Sequence, residues 1–124
     1  MLVHDAARPC VRAEDIERLI ELGTPAGGAL LAAPVRDTLK RSDADRRVVA
    51  TEERQARWRA LTPQLFRRGE LTEALTQSRG QPITDEAMAM ERMGHRPLLV
   101  EGAEDNIKVT TPADLALAEF LLGR

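Results

Sequence analysis

The stretch Val3-His4-Asp5-Ala6-Ala7-Arg8-Pro9 decides the fold that we predict for this chain. It continues an apolar start, and its proline ends the run because proline lacks the N–H that a β-ladder needs. We therefore predict a buried strand that delivers Asp5 to its carboxyl end, where open α/β sheets bind ligands. The Arg8 guanidinium then offers a fork of donors that suits phosphate. The alternative is an ordinary strand end with a capping aspartate and a surface arginine.

The composition is that of a globular domain with a modest core. The chain has 124 residues, of which 31% are charged and 43% apolar, enough for one domain. A net charge of -2 argues against a general nucleic-acid-binding protein, and no apolar run approaches the ~20 residues of a membrane span. A single cysteine, Cys10, excludes an internal disulfide framework and, without a recognisable signal peptide, predicts a cytoplasmic protein.

The residues after the opening stretch predict a βαβ unit. A helix is expected from Arg12 to Gly23, with the glycine as its C-terminal cap and a Glu14–Arg18 pair on its outside. Its apolar stripe has helical spacing: Ile16, Leu19, Ile20. Residues 24–28 are a predicted loop, and the apolar run 29–35 is a second buried strand, reached by a right-handed crossover.

Residues 35–62 are more polar than the apolar run before them, and they predict a protruding β-arm. The segment is half polar, and a turn cluster in its middle indicates a two-stranded hairpin. Because an isolated hairpin is only marginally stable in water, we expect the arm to pack on a second copy of the chain, with Trp58 and Leu61 anchoring its return to the body. Its basic residues form either a solvated face or an anion site: Arg36, Lys40, Arg41, Arg46, Arg47, Arg54, Arg57, Arg59.

The rest of the chain predicts short helices and two short strands. Thr62 is expected to open one helix, and Thr84 to cap the next, whose inner residues are Ala87, Met90, Met93. Strands are expected at 98–100 and at 106–109, the latter carrying Lys108. Thr111 begins a final helix with a near capping box, and its predicted core-facing residues are Leu115, Ala118, Leu122.

Five ordered blocks carry a resemblance that covers essentially the whole chain. They are Val3–Pro9, Ala33-Pro34-Val35-Arg36-Asp37-Thr38, Leu61-Thr62-Pro63-Gln64, Ile83-Thr84-Asp85-Glu86-Ala87 and Asp105-Asn106-Ile107-Lys108-Val109-Thr110. Together they resemble the cytidylyltransferases that act on 2-C-methyl-D-erythritol 4-phosphate in non-mevalonate isoprenoid synthesis. The resemblance implies a partial Rossmann-like nucleotidyltransferase sheet with flanking helices and an extended β-arm.

The resemblance also implies which part of the family's protein is present. The family's N-terminal portion carries a glycine-rich loop that holds the CTP phosphates, and this chain shows no such loop. A chain that opens inside a sheet strand, which normally has neighbours on either side, is expected to be the second part of something longer. We therefore expect residues 1–124 to be the C-terminal part of one nucleotidyltransferase domain, inactive by itself.

The resemblance assigns roles to individual residues. Asp5 matches the family's Mg²⁺-contacting aspartate, and with Ala6 and Arg8 it belongs to the nucleotide-side motif. Arg54 and Lys108 match basic residues that position the methylerythritol phosphate for attack on CTP. Three residues match polar residues that line the same substrate pocket: Thr38, Thr62, Thr84. The arm of a family homodimer crosses to the partner, so Thr38 and Arg54 are expected to serve the neighbour's site.

Two alternatives to this enzyme stay open. The chain can be a non-catalytic dimerisation fragment held together by the arm. It can also be part of a nucleotidyltransferase for another polyol phosphate, although Arg54, Thr62 and Lys108 together favour methylerythritol phosphate. Zinc-ligand spacing, a Ser-His-Asp elbow and a Walker loop are all missing from the sequence.

Overall fold

A four-stranded sheet forms the body of the chain in the computed structural model, which describes residues 1–123. The elements in chain order are β1 (Leu2–Val3), α1 (Ala13–Ala26), β2 (Gly28–Pro34), β3 (Leu39–Ser42), β4 (Val48–Glu52), β5 (Trp58–Phe66), α2 (Arg68–Gln77), α3 (Glu86–Arg92), β6 (Leu98–Glu101) and α4 (Pro112–Leu122). The sheet order is β1-β5-β2-β6. β5 is antiparallel to both β1 and β2, whereas β6 is parallel to β2. The predicted α/β class is confirmed.

Strand β2 lies at the centre of the core and contributes side chains to both faces of the sheet. Successive side chains of a strand point to opposite faces, so Leu30 packs with α2 and α3, while Ala29 and Leu31 pack with Leu19 of α1. Six of its seven residues are buried. The continuous apolar run is therefore a strand covered on both sides, as predicted.

The opening strand is shorter and more exposed than predicted. β1 has only two residues and pairs with β5 at the edge of the sheet, and Met1 and Leu2 are 54% and 40% exposed. The prediction of a buried strand is wrong because β5 takes the place between β1 and β2. Asp5 nevertheless follows the end of this strand directly.

Helix α1 runs three residues past the predicted cap. Its C-terminal cap is Gly27, with φ 82°, a left-handed conformation that glycine adopts without steric cost. Gly23 is buried inside the helix instead, where an added Cβ would lie 2.8 Å from the Ala29 Cβ. The prediction of a loop directly after Gly23 is wrong, because this glycine is needed for close packing rather than for a cap.

The predicted Glu14–Arg18 pair on α1 is also wrong. Arg18 donates to Asp15 Oδ1 at 2.9 Å, and Glu14 lies 3.9 Å from Arg12. Asp15 is buried and also accepts the Ala103 N–H at 2.8 Å. The charges of α1 therefore hold the loop after β6 instead of pairing along the helix.

The segment predicted to open a helix at Thr62 is the inner strand β5. The nine-residue strand pairs with β1 on one side and with β2 on the other, and this long-range pairing outweighs the local pattern of Thr-Pro-Gln. Pro63 is tolerated because the β2–β5 register is irregular between Leu30 and Ala32, so the proline lies where ladder bonds are already interrupted. Leu61 is buried as expected, but Trp58 is 37% exposed.

The arm contains the predicted hairpin. β3 and β4 form a separate antiparallel sheet in which Leu39 pairs with Glu52, and nearly all of its side chains are exposed. The last residues of the predicted arm, 58–62, belong to β5. The hairpin thus stands apart from the four-stranded sheet.

Two boundaries near the cavity described below differ from prediction. Helix α3 is capped by Asp85, whose side chain accepts the Met88 N–H at 2.8 Å, rather than by Thr84. Its inner residues Ala87 and Met90 are buried as predicted. Residues 106–109 are an extended loop and not a strand, because the segment makes only one backbone bond to its neighbour, from Val109 N–H to the Ala7 carbonyl at 2.7 Å.

The final helix, α4, begins at the predicted residue, but fewer of its apolar side chains are buried than predicted. Thr111 and Asp114 form a capping box with proline in the first turn. Ala118 is buried, but Leu115 and Leu122 are 52% and 59% exposed, so the prediction that both face the core is wrong. The periodic spacing of these leucines predicts a core face, yet more than half of the surface of each residue is exposed. None of the helices in residues 1–123 is long and apolar enough to cross a membrane.

We expect Asp114→Asn to lower the melting temperature at pH 7, and we expect this difference to shrink as the pH falls below the ordinary aspartate pKa of 3.8. Hydrogen bonds from the Thr110 backbone, then from the Thr110 and Thr111 side chains, lower the pKa of Asp114 from its ordinary 3.8. A lowered folded-state pKa contributes stability above the unfolded value and loses it as pH falls through the folded value. Thermal unfolding of both proteins between pH 2 and 7 measures this, and a difference that does not shrink as the pH falls below 3.8 would contradict it.

Candidate active site

A cavity of about 420 Å³ lies beyond the end of β1. Five of the residues predicted to form a site line it: Asp5, Arg8, Thr62, Thr84, Lys108. They come from four separate parts of the chain, which the sheet brings together. The predicted meeting of the aspartate motif and the lysine is therefore present.

Arg8 is bound to the protein rather than standing free for phosphate. Its Nε donates to Asp5 Oδ2 at 3.3 Å, and its Nη1 donates to the Asn106 carbonyl at 2.7 Å. The Arg8 side chain is 12% exposed, whereas that of Asp5 is 40% exposed. The arginine therefore fixes the carboxylate, and Asp5 presents it to the cavity.

Thr62 holds the backbone of Asp5. Its Oγ1 accepts the Asp5 N–H at 3.0 Å and lies 2.9 Å from His4 Nδ1. Because His4 Nε2 lies 2.9 Å from the Arg8 carbonyl, which can only accept, a neutral His4 ring has its proton on Nε2 and accepts from the Thr62 hydroxyl at Nδ1. The threonine hydroxyl is thus engaged by the protein, unlike the substrate contact that the resemblance implies.

Of the two basic residues that line the cavity, Lys108 forms no ion pair with any described residue, whereas Arg8 pairs with Asp5. Lys108 is exposed on the loop after β6, and Asp105, its nearest acid in sequence, binds Arg12 at 2.6 Å. That pairing raises the pKa of Arg12, first through the hydrogen bond and then through the charge of Asp105. An ammonium without an ion pair at a cavity rim suits an anionic ligand.

Sequence reasoning missed a buried amide beside the cavity. Gln64 is 1% exposed; its Nε2 donates to Asp85 Oδ2 at 3.0 Å, and its Oε1 accepts the Ala87 N–H at 2.9 Å. The glutamine therefore fastens helix α3 to β5. A polar residue between Pro63 and the apolar pair Leu65-Phe66 is the available signal, but the local pattern of this segment favours a helix.

The arm residues assigned by the resemblance do not line the cavity of their own chain. Thr38 and Arg54 are exposed at the base of the arm, and Arg54 Nη1 donates to the Arg36 carbonyl at 2.5 Å. Ala6 is exposed beside Asp5 but is not a lining residue. One chain therefore assembles only part of the predicted set.

Several basic residues of the arm form ion pairs with acidic residues. Glu104 receives hydrogen bonds from Arg36 at 2.7 Å and from Arg59 at 2.6 Å, and these bonds, that of Arg36 foremost, lower the pKa of Glu104. Arg41 likewise pairs with Glu52 at 2.7 Å. These contacts favour a solvated face over an anion site at the arm.

The residues present suit a magnesium ion that takes most of its ligands from a substrate. Within residues 1–123 no three His, Cys, Asp or Glu side chains are grouped so as to hold a metal. Mg²⁺ is commonly bound by one or two carboxylates together with substrate phosphates and water. The partly exposed Asp5 carboxylate fits that arrangement as the single protein ligand.

Comparison with known proteins gives a consistent result. The family model described as 2-C-methyl-D-erythritol 4-phosphate cytidylyltransferase matches residues 1–124. Curated relatives with that name from Xanthomonas oryzae pv. oryzae (strain PXO99A) and Stenotrophomonas maltophilia (strain K279a) are 63% and 61% identical over 127 residues, covering 100% of this chain and 47% and 55% of theirs. The chain thus spans about half the length of the curated relatives it matches.

Solved structures agree. The cytidylyltransferase of Thermus thermophilus has a TM-score of 0.90 at 35% identity, with 99% of this chain and 61% of that chain covered. The Francisella tularensis enzyme has a TM-score of 0.88 at 38% identity, with 97% and 58% covered. The prediction that this chain is the C-terminal part of the family's protein is not confirmed by these matches.

Proposed function

Because the chain belongs to the 2-C-methyl-D-erythritol 4-phosphate cytidylyltransferase family, we propose that it forms part of an enzyme that transfers CMP from CTP to that phosphate. The observation that carries this proposal is the cavity where a partly exposed Asp5 carboxylate meets Lys108, a cation without an ion pair among the described residues. One group suits a metal-bound triphosphate, and the other suits a phosphate monoester. The reaction belongs to the synthesis of isoprenoid precursors.

The proposed step is an in-line displacement at phosphorus. A phosphate oxygen of methylerythritol phosphate forms a bond to the α-phosphorus of CTP, and the bond from that phosphorus to the β-phosphate oxygen breaks, releasing pyrophosphate. The attacking monoester is already ionised, so no general base is needed. Lys108 reduces the repulsion between the two anions and fixes the line of attack.

Mg²⁺ is the proposed cofactor, with Asp5 as its protein ligand. When bound, the ion neutralises phosphate charge and orients the leaving group. The chain's own contribution is to hold the carboxylate still, through Arg8 on the side chain and Thr62 on the backbone.

A homodimer joined by the arm is the proposed assembly. The hairpin leaves Leu39, Val48 and Val49 42%, 65% and 52% exposed, and apolar residues on an isolated hairpin favour a partner surface. In such a dimer Thr38 and Arg54 complete the neighbour's site, which would explain why they miss the cavity of their own chain. A cytoplasmic location stays a prediction, supported by the single, free Cys10.

A chimeric enzyme tests the activity. This chain replaces the matching half of the Stenotrophomonas maltophilia relative, to which it is 61% identical, and pyrophosphate release is measured with CTP and Mg²⁺. We expect release with methylerythritol phosphate and none with erythritol 4-phosphate. A folded chimera that uses only the other polyol phosphate would favour the alternative nucleotidyltransferase.

We expect the 124-residue chain by itself to release no pyrophosphate above background. Among the described residues only Arg8 and Lys108 bring positive charge to the cavity, too little to hold a triphosphate and a monoester together. The same assay measures this, with the chimera as the positive control. Release of pyrophosphate by the chain alone would contradict the proposal that this chain contains only part of the active site.

A further inference from the structure

A closed ring of hydrogen bonds joins three residues of the cavity lining, Asp5, Arg8 and Thr62, to Asn106. Asp5 N–H donates to Thr62 Oγ1 at 3.0 Å, and the Thr62 carbonyl accepts from Asn106 Nδ2 at 2.8 Å. The Asn106 carbonyl accepts from Arg8 Nη1 at 2.7 Å, and Arg8 Nε returns to Asp5 Oδ2 at 3.3 Å. Each member is thus held by two others, so that the carboxylate and the loop carrying Asn106 have a fixed relative position.

Asn106 is the member that connects this ring to Lys108. It precedes the lysine by two residues, and it is 1% exposed. The lysine itself is exposed, and no described residue forms an ion pair with it. The ammonium therefore depends on its backbone for position, and the backbone is fixed at Asn106 by a side-chain donor and a carbonyl acceptor.

Described residues engage only the donor end of the Asn106 side-chain amide. Its Oδ1 is buried and accepts no hydrogen bond from any described residue, and an unsatisfied buried acceptor is unfavourable. Such groups in a native structure call for an explanation, and a role in holding a site is one. Here the side-chain Nδ2 donates to the Thr62 carbonyl, whereas Oδ1 accepts from no described residue.

We infer that Asn106 is a positioning residue, which sets the spacing between the Asp5 carboxylate and the Lys108 ammonium. This rests on the proposed function, in which these two groups face the two phosphate ligands. A hydrogen-bonded asparagine supports the loop more rigidly than a shorter side chain, because it links two segments that are 44 residues apart in sequence.

The hydrogen bond can be observed directly. Asn106 is the only asparagine of the chain, so labelling with ¹⁵N-asparagine gives a single side-chain amide pair in an NMR spectrum. We expect its protons to exchange with solvent at least about tenfold more slowly than in the urea-unfolded chain. Exchange at the unfolded rate would overturn the inference, because the ring would not be closed.

A double-mutant cycle then tests the positioning. Dissociation constants for methylerythritol phosphate with Mg²⁺ are measured by ³¹P NMR titration of the chimera that carries the original chain and of its Asn106→Ser, Lys108→Met and double variants. We expect Asn106→Ser to weaken binding about tenfold in the original chain but less than about twofold beside Lys108→Met, because coupled residues are not additive. Equal losses in both backgrounds would show a general structural effect and overturn the inference.

Asp15→Asn is the matched control. Asp15 is a buried polar residue that holds the other end of the same loop through the Ala103 N–H, and it does not belong to the ring. It should lower the melting temperature while leaving the dissociation constant within about twofold, since it lies outside the coupled set. If Asn106→Ser does not fold, the isosteric Asn106→Asp replaces it in the cycle. Absence of binding by the folded, unsubstituted chimera would overturn the proposed function, whereas binding that Asn106→Ser leaves unchanged would overturn only the inference.

Discussion

Replacement of Lys108 by methionine is expected to weaken the binding of methylerythritol phosphate by about 10- to 100-fold, the range for losing a hydrogen bond to a charged group. Methionine keeps most of the length and apolar character of the side chain and removes only the charge. Because no described residue pairs with the Lys108 ammonium, removing it leaves no buried acid unpaired. The free energy of unfolding should therefore change little.

The chain supplies its own control for this variant. Lys40 is the only other lysine, and it lies on β3, where its Nζ donates to Thr51 Oγ1 at 2.7 Å. Lys40→Met has the same change in net charge, so it tests whether distant charge alone explains a loss. Calorimetric titrations of both variants decide the matter, and equal weakening by the two would contradict a specific contact at Lys108.

The largest expected effect on stability is at Gly23. An alanine Cβ there would lie 2.8 Å from the Ala29 Cβ and 2.9 Å from Leu65 Cδ2, closer than real Cβ atoms approach. The Ala29 methyl is fixed to the central strand β2 and has no rotamer to adopt, so helix α1 must shift outward. We expect Gly23→Ala to destabilise the chain by about 1–3 kcal/mol, the usual cost of overpacking.

The same substitution at Gly69 should have the opposite sign. Gly69 lies in helix α2, and an added Cβ would meet nothing within 4 Å. Alanine there removes backbone freedom from the unfolded chain and stabilises by up to about 1 kcal/mol. Urea unfolding of both variants measures the two values, and a neutral Gly23→Ala would show that α1 is not in close contact with β2.

Patterns contained within one short segment predicted the elements that the residues of that segment specify. The run that became β2 is apolar throughout, and the capping box at Thr111 satisfies its own helix end, so both were found from the sequence. The strand β5 could not be found, because it is formed by pairing with β1 and β2, which lie far away in sequence. The role of Gly23 was predicted wrongly for a similar reason, because the residues that it contacts are in β2 and β5.

The residues of the candidate site show the same difference between sequence motifs and long-range contacts. Asp5 and Lys108 were identified from the resemblance, and the structure brings both to one cavity. The residues that hold them were not identified, because Gln64 and Asn106 act through bonds to distant backbone atoms. Sequence motifs mark the groups that face a ligand, whereas supporting contacts need the fold.

The cavity is built from both ends of the chain, and this has a consequence for how it forms. The Arg8–Asn106 bond spans 98 residues and the Asp5–Thr62 bond spans 57. Closing such long loops costs chain entropy that local contacts cannot offset, so high contact order delays this region until the sheet is in place. Affinity for a phosphate ligand should therefore return late in refolding, after the helical circular dichroism signal, and a ligand should protect the first and last segments of the chain together from proteolysis.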